Sequence, residues 1–526
     1  MSTPVPTSSP ARDEGVVLDA VVVDAVVVGG GLAGLVAART LARAGLRTLV
    51  LEARDAAGGA VRAHEVAGLR LDAGAESFAT RGGTVVAFLA DLGLGDAVVS
   101  PAALGSWVHL PSGDGPLPRT GLLGIPSQPW SRDVRRTLGT LGAARAAADR
   151  WLPARVGRSA TSLGELVRRR MGARVVDRLV RPVVGGVHAA DPDDLAVDAV
   201  APGLTAALAT HRSLAVAVAT LRAAAPAGAA VLGLRGGLHT LVDALRTDLA
   251  AHGATVLLRS PVTRVEPVAA SDGGGRPDVL VTHRGGTVRA RRLVVACPQG
   301  LDALGALLPD LADVRLDDGA DVRLVTLVLS SRGVGPGVAG ASGAGARGSG
   351  AAGLDDAPRG TGVLVGRGAT DVRAKALTHA TAKWPWLAEQ AGAGRHVVRL
   401  SYGRAPAGSG SGSTSRSASA SGSDEGAGAD LGDFDLVTQG LADASVLLGV
   451  PLDRTDLLGD AVVRWSQALP RPSAAHREAT ARVAAALASA ADDDRAPRLA
   501  ACGAWFAGNG LASVIPQAES AARALV

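Results

Sequence analysis

The chain has 526 residues, of which 47% are hydrophobic but only 2% aromatic, so alanine, valine and leucine must build most of its core. The length allows two or three domains of about 150 residues each. The formal net charge of +5 comes without long basic runs, and Cys297 and Cys502 stand far apart without metal-ligand spacing. Nucleic-acid binding, a disulfide framework and a metal site are therefore not indicated.

Residues 1–23 are predicted to form a disordered tail. Arg12, Asp13 and further acidic residues interrupt this stretch, which argues against a signal peptide. No uncharged apolar run reaches the roughly 18 residues of a transmembrane helix. We expect a cytoplasmic protein, and a positive mean hydropathy of +0.23 leaves peripheral membrane contact open.

The first ordered elements are predicted to form a βαβ unit. A short β-branched run predicts a strand over 24–28. Apolar residues at helical spacing predict a helix over 32–44, with Gly45 as its stop. A second strand is predicted over 47–51, so that strand, glycine turn, helix and strand follow one another.

The turn of this unit carries the pattern Gly29-x-Gly31-x-x-Gly34. In such a pattern the first glycine allows a tight turn, the second lets the backbone approach a pyrophosphate, and the third lets helix and strand pack closely. Glu52 ends the second strand, where a carboxylate can accept hydrogen bonds from ribose hydroxyls. The sequence predicts dinucleotide binding; the alternative is a structural glycine turn before a packed helix.

The middle of the chain differs in composition from its flanks. Residues 101–225 are predicted to be mostly helical and to form an inserted cap or substrate domain. A helix over 237–251 and strands over 254–258 and 291–296 are predicted to follow it.

Two stretches, 334–358 and 405–432, consist mainly of Gly, Ser and Ala. They contain almost no large apolar residues, so they are predicted to be disordered loops. The second stretch lies between a predicted strand over 397–401 and a predicted helix that begins near Asp435.

A second pattern points to the type of dinucleotide. Glu52 is followed six and seven positions later by Gly58 and Gly59. This spacing resembles the extended FAD signature of the amine-oxidase and protoporphyrinogen-oxidase superfamily, which nicotinamide enzymes normally lack. Members usually continue with Arg or Lys, whereas this chain has Ala60 and offers Arg62 two residues later.

Further segments resemble the oxygen-dependent porphyrinogen oxidases of haem synthesis. Gly74-Ala75-Glu76-Ser77-Phe78 is similar to that family's Gly-Pro/Ala-Asp/Glu-Ser-Phe segment near the flavin. Gly186-Val187-His188-Ala189-Ala190-Asp191 is similar to its Gly-(Ile/Val)-(Tyr/His)-Ala-Gly-Asp stretch. Other matching segments are 234–238, 261–262, 401–404 and 464–470. The resemblance covers 24–333, 360–404 and 433–526.

The resemblance implies an α/β fold, α+β overall. A Rossmann-like, two-dinucleotide-binding FAD domain would be built from discontinuous segments beside a mixed-sheet substrate domain and a mostly helical inserted domain. The implied division is an FAD-binding domain at 24–100, 226–300 and 461–526, a helical cap at 101–225 and a substrate domain at 301–460.

The resemblance also implies the FAD contacts. These are Gly29, Gly30, Gly31, Leu32, Ala33, Gly34, Glu52, Ala53, Gly58, Gly59, Arg62, Gly74, Ala75, Glu76, Ser77, Val262, Trp465, Gly508, Val514 and Ile515. At 508–516 the chain has Ala512-Ser513-Val514 where the family carries the glycines of Gly-Val-Gly-Ile-Pro. Arg81 and His188 are candidate substrate contacts, and Cys502 is interpreted as a buried hydrophobic residue.

The implied reaction needs no Ser/His/Asp triad or pair of carboxylates, because the flavin carries the chemistry. The expected substrates are a tetrapyrrole and O2. Coproporphyrinogen III is preferred, since the composition suggests a high-GC bacterium, and protoporphyrinogen IX is the alternative. A flavin amine oxidase, a carotenoid desaturase and a degenerate flavin-binding scaffold stay open as more distant alternatives.

Overall fold

A computed structural model describes residues 21–153, 155–188, 191–224, 231–271, 275–316, 320–332, 350–403, 432–469 and 473–526. Its strands are β1 Val21–Val23, β2 Ala25–Val28, β3 Thr48–Leu51, β4 Ala63–Val66, β5 Leu69–Asp72, β6 Phe78–Ala79, β7 Val98–Val99, β8 Trp107–His109, β9 Gly115–Pro116, β10 Val231–Leu234, β11 Thr255–Leu257, β12 Val262–Val268, β13 Asp278–His283, β14 Gly286–Ala290, β15 Arg292–Val295, β16 Ala320–Ser330, β17 Gly362–Val365, β18 Ala376–His379, β19 Arg395–Tyr402, β20 Leu457–Leu469 and β21 Arg498–Ala501.

The helices are α1 Leu32–Arg43, α2 Thr84–Asp91, α3 Arg132–Ala147, α4 Leu163–Met171, α5 Ala173–Val175, α6 Arg181–His188, α7 Val197–Val200, α8 Leu204–His211, α9 Leu214–Ala224, α10 Thr240–Ala251, α11 Leu301–Leu307, α12 Ala380–Lys383, α13 Pro385–Ala391, α14 Asp433–Leu448, α15 Ala474–Asp492, α16 Ala504–Ala507 and α17 Leu511–Arg523. None of the described helices combines the length and apolar character needed to cross a membrane.

A five-stranded parallel sheet forms the centre of the nucleotide-binding part. Its strand order is β11-β3-β2-β15-β21, and all four neighbouring pairs are parallel. The strands are apolar because both faces of the sheet are buried: helices cover one face, and the sheet of β12 to β14 covers the other together with α11 and α15. Helices α1, α10 and α17 contribute Leu35, Leu245 and Ala518 to the core on one face. The predicted βαβ unit has these elements within one or two residues of their expected bounds.

The prediction of a disordered tail over 1–23 is wrong for its last three residues. Val21–Val23 is strand β1, which pairs in parallel with β14 at the edge of a four-stranded sheet of order β1-β14-β13-β12. The sequence did not reveal this strand because its partner lies more than 260 residues away and Val21 and Val22 remain exposed. Residues 1–20 lie outside the described part.

The largest sheet crosses two of the predicted domain boundaries. Its order is β20-β16-β19-β18-β17-β8-β9. Strands β8 and β9 come from the predicted helical insertion, and β20 runs through the boundary expected at 460. Backbone hydrogen bonds between residues distant in sequence decide this arrangement, and composition carries no signal for them.

The predicted helical insertion is largely present as α3 to α9. It has a core of its own, to which Leu138, Leu179 and Leu204 contribute. A fully buried ion pair between Arg170 and Asp149, with an N–O distance of 2.5 Å, ties α4 to the end of α3.

The prediction of a disordered loop over 334–358 is wrong for residues 350–354. Residues 350–354 form a 3₁₀ turn in which Ala351 and Leu354 are buried against α14 and the large sheet. These two apolar side chains are enough to order the turn, because the large sheet and α14 already supply the rest of the core. Residues 333–349 and 404–431 lie outside the described part, so the second predicted loop, 405–432, lies there except for Gly432.

Candidate functional site

A cavity of about 2100 Å³ opens where four strands of the parallel sheet end. Gly29 follows β2, Glu52 follows β3, Ala296 follows β15 and Gly503 follows β21, and all four line it. Ligands of open α/β sheets bind at the carboxyl ends of the strands. The volume exceeds the roughly 300–1,000 Å³ of an ordinary small-molecule pocket, so a dinucleotide and a second ligand have room together.

The glycine turn has the geometry expected from its sequence. Gly29 has a φ of 104°, a left-handed conformation that favours glycine. A Cβ added at Gly34 would overlap the Gly29 carbonyl oxygen, whereas one at Gly31 would meet nothing within 4 Å. The third glycine thus serves helix packing, and the second leaves open space beside the N-terminus of α1, where unpaired N–H groups attract anions.

Glu52 is held rigidly at the end of β3. Its Oε2 accepts from the Gly30 amide at 2.7 Å, and its Oε1 accepts from the Arg54 amide at 2.9 Å. Its carboxylate is 9% exposed and lines the cavity. Each oxygen keeps a further lone pair, so the carboxylate can still accept from a ligand hydroxyl.

The Gly58-Gly59 pair closes the turn from the other side. The Gly58 amide donates to the Gly30 carbonyl at 2.8 Å. Gly58 has a φ of 103°, and a Cβ there would lie 2.8 Å from a methyl group of Val242 on α10. The pair therefore allows two backbone turns to meet at the cavity, which a bulkier residue would prevent.

Segment 74–77 forms the adjoining wall. The Ala75 amide donates to the Ala60 carbonyl at 2.8 Å, and a Cβ on Gly74 would overlap that same oxygen. Ala75 and Ser77 line the cavity, but Gly74 and Glu76 do not. Glu76 instead forms ion pairs on the far side of the wall. Burial by itself would raise its pKa, but the neighbouring cations outweigh that effect and hold the pKa at about 2.

Trp465 of β20 lines the cavity beside two arginines. The guanidinium of Arg62 lies 4.6 Å from the centre of its ring, and that of Arg54 lies 5.5 Å away. Burial, followed by the charge of Arg54, lowers the pKa of Arg62. Arg54 belongs to the cavity wall and Arg62 does not, so the arginine that reaches the cavity beside Trp465 is one that the sequence did not single out.

The segment at 508–516 differs from its expected form. Helix α17 begins at Leu511, after Gly508 and Gly510 with φ values of 86° and 96°. Ala512, Ser513 and Val514, which stand in place of the family's glycines, lie in the first turn of this helix. Pro516 lies inside the helix rather than at its start.

The structure brings most predicted contacts to one cavity. The wall contains Gly29, Gly31, Leu32, Ala33, Glu52, Ala53, Gly58, Gly59, Ala75, Ser77, Val262, Trp465, Gly508 and Val514. Gly30, Gly34, Arg62, Gly74, Glu76 and Ile515 are not part of it. The side chains of Arg81 and His188 lie outside the described residues.

Sequence reasoning missed several wall residues. Cys297 follows β15, and burial raises the pKa of its thiol to about 11, so the thiol stays protonated. His476 of α15 reaches the cavity, and its Nε2 lies 2.9 Å from the Trp505 carbonyl oxygen. Leu195 and Val200 come from the helical insertion. None of these residues belongs to a motif, so no signal in the sequence marks them. Among the described residues, no group of His, Cys, Asp and Glu could hold a metal ion.

These features fit a flavin dinucleotide. The open space at Gly31, the fixed carboxylate of Glu52 and a second helix N-terminus at Leu511 lie around one cavity. A model of the family of flavin containing amine oxidoreductases matches residues 32–317. The chain belongs to this family.

The chain is also similar to proteins that are named as porphyrinogen oxidases. A coproporphyrinogen III oxidase of Mycobacterium tuberculosis is 29% identical over 507 residues, 95% of this chain and 96% of the relative. One of Bacillus subtilis is 26% identical over 501 residues, 94% and 96% of the two chains. Protoporphyrinogen oxidase 1 of Arabidopsis thaliana is 28% identical over 330 residues, 58% of each chain.

Solved structures of this type have the same fold. One from Exiguobacterium sp. 255-15, which carries the name of a protoporphyrinogen oxidase, has a TM-score of 0.70 at 22% identity and covers 95% of this chain and 98% of its own. Putrescine oxidase with bound putrescine has a TM-score of 0.54 at 15% identity and covers 96% and 98%. The predicted mixed α/β fold is confirmed. The protein is an oxidoreductase of the flavin amine oxidase superfamily, and FAD is its cofactor.

Proposed function

We propose that the protein oxidises coproporphyrinogen III to coproporphyrin III with O2 as the electron acceptor, in the cytoplasm. The observation that carries the proposal is the near full-length similarity to relatives named coproporphyrinogen III oxidase. FAD, when bound, accepts a hydride in each of three two-electron oxidations and passes the electrons to O2, which gives one H2O2 per round.

The geometry and the family resemblance together support an assignment of the parts of the chain that would hold FAD. The N-terminus of α1 and the open space at Gly31 would face the pyrophosphate. Glu52 would accept hydrogen bonds from the adenosine ribose, and Val262 would contact the adenine. Free amides at the start of α17 would face the flavin, since this needs no particular side chain.

The tetrapyrrole would occupy the remaining part of the cavity. Leu195 and Val200 of the helical insertion line it together with Ala79 of β6. These apolar side chains suit a macrocycle and exclude water from the reacting carbons. Arg81 and His188 remain the proposed contacts for its polar groups.

The proposal is tested by steady-state oxidation of coproporphyrinogen III and protoporphyrinogen IX by the purified holoenzyme. We expect a higher kcat/KM for coproporphyrinogen III, with one O2 consumed and one H2O2 formed per two electrons. A clear preference for protoporphyrinogen IX would reverse the choice of substrate. The similarity to the Arabidopsis protoporphyrinogen oxidase makes this the second candidate.

A degenerate flavin-binding scaffold has less support than the sequence suggested. Gly508 and Gly510 precede α17, so the start of the helix keeps the backbone freedom that a flavin contact requires. A yellow protein that retains FAD but oxidises neither porphyrinogen would favour the scaffold.

A further inference from the structure

A buried triad of charges stands directly behind the cavity wall. Glu76 lies between Ala75 and Ser77, which line the cavity, but its carboxylate is directed to the other side. Its Oε1 lies 2.5 Å from Nζ of Lys383, and its Oε2 accepts from Nη1 of Arg399 at 2.9 Å. The three side chains are 15%, 16% and 9% exposed. This arrangement therefore differs from the solvated surface pairs that contribute little.

The triad joins two parts of the molecule. Glu76 belongs to the nucleotide-binding part, whereas Lys383 ends α12 and Arg399 lies in β19 of the large sheet. Arg399 also donates from Nη2 to the Gly74 carbonyl at 2.7 Å. The N–H of the same peptide group, that of Ala75, donates to the Ala60 carbonyl. The sheet thus fixes the wall through charged hydrogen bonds, which are the stronger kind.

Other titratable groups lie near the triad but do not take the place of its charges. Asp72 accepts from the amides of Leu238 and His239 and lies 2.9 Å from Nδ1 of His239. Burial, followed by the charge of Arg399, lowers the pKa of His64 to about 4, so His64 is neutral at pH 7. Charges that are buried to this degree are screened little by salt, and each therefore acts across the wall with its own sign.

We infer that Glu76, Lys383 and Arg399 are positioning residues that fix wall segment 74–77 and set the reduction potential of the bound flavin. The inference rests on FAD binding in this cavity, and it goes beyond the proposed reaction. Reduced flavin is an anion at neutral pH, so a nearby cation favours the reduced form and a nearby carboxylate disfavours it. Lys383 and Arg399 are not part of the cavity wall, so they hold it in place through Glu76 and Gly74, and their charges act on the flavin across it.

The test is a redox titration of the flavin in the full-length holoenzyme, without any porphyrinogen. Glu76→Gln removes the anion and is expected to raise the midpoint potential. Lys383→Met removes a cation and is expected to lower it. The double variant E76Q/K383M is expected to lie between the two. Asp313→Asn is the matched control, because it breaks an exposed pair with Arg482, neither residue of which belongs to the cavity wall, and should leave the potential unchanged.

A purely structural role gives a different result. Shifts of the two single variants in the same direction, or wild-type potentials in both, would overturn the inference even if the variants unfold more easily. The conservative variant Lys383→Arg keeps the charge and should restore most of the potential. Because no porphyrinogen is used, opposite shifts in a protein that fails to oxidise porphyrinogens would support the inference and contradict only the proposed function.

Discussion

At the scale of single residues, the glycines of the nucleotide-binding turn have separate tasks that sequence and structure assign alike. Gly34 is required by packing, because any Cβ there would overlap a backbone oxygen that no side-chain movement can relieve. Packing does not require Gly31, because a Cβ there would meet nothing within 4 Å, and we propose that the approach of the ligand requires it instead. Glu76 shows the opposite case. A motif placed it near the flavin, but the residues that bind its carboxylate come from distant segments.

The variant Gly34→Ala tests the packing role. Forcing α1 away from β2 is expected to lower the free energy of unfolding by about 1–3 kcal/mol or more and to weaken FAD binding. Gly185→Ala is the matched control. Gly185 lies in helix α6 with nothing within 4 Å of an added Cβ, so this change should be neutral or slightly stabilising. Denaturant unfolding checks both, and equal stability of the two variants would contradict the packing argument.

At the scale of elements, the start of α17 is decided by backbone conformation rather than by apolar spacing. Two glycines with positive φ precede Leu511, and the helix then continues through Pro516. Pro516 removes one hydrogen bond from the helix and lies beyond its first turn. The helix N-terminus therefore lies at the cavity, and Ile515 is buried in the core on the other side of the helix.

The variant Gly510→Ala tests this helix start. Its φ of 96° puts strain of about 1–2 kcal/mol on any residue with a Cβ. We expect FAD to bind about tenfold more weakly, which corresponds to about 1.4 kcal/mol. Gly253→Ala is the matched control. Gly253 follows α10 and is not part of the cavity wall; it has a φ of 74°, and an added Cβ would meet nothing within 4 Å. It should lose similar stability but keep FAD affinity, as flavin fluorescence titration would show. An equal loss of FAD affinity in both variants would contradict a contact between the start of α17 and the flavin.

At the scale of the whole molecule, the cavity is built from segments that span most of the chain. Gly29, Val262, Trp465 and Gly508 meet in its wall, although more than 470 residues separate the first from the last. A ligand that contacts all of them stabilises the folded state only, because the unfolded chain holds none of them together.

Removal of FAD should therefore lower the melting temperature of the entire protein. At a free FAD concentration of 100 times its Kd, the expected stabilisation is about 2.7 kcal/mol. Thermal unfolding of apoprotein with and without FAD measures it, and NAD serves as a control that should give no comparable rise. A similar rise with NAD would show that the cavity does not discriminate flavin from nicotinamide.

The sequence by itself determined the βαβ unit, the dinucleotide turn, the carboxylate of Glu52 and the family, because local spacing and backbone requirements encode these features. It did not determine the strand at 21–23, the sheet that crosses the predicted domain boundaries, the ordered turn at 350–354, or the partners of Glu76. These depend on hydrogen bonds and ion pairs between residues that are distant in the chain, and their energy exists only once the tertiary structure brings the partners together.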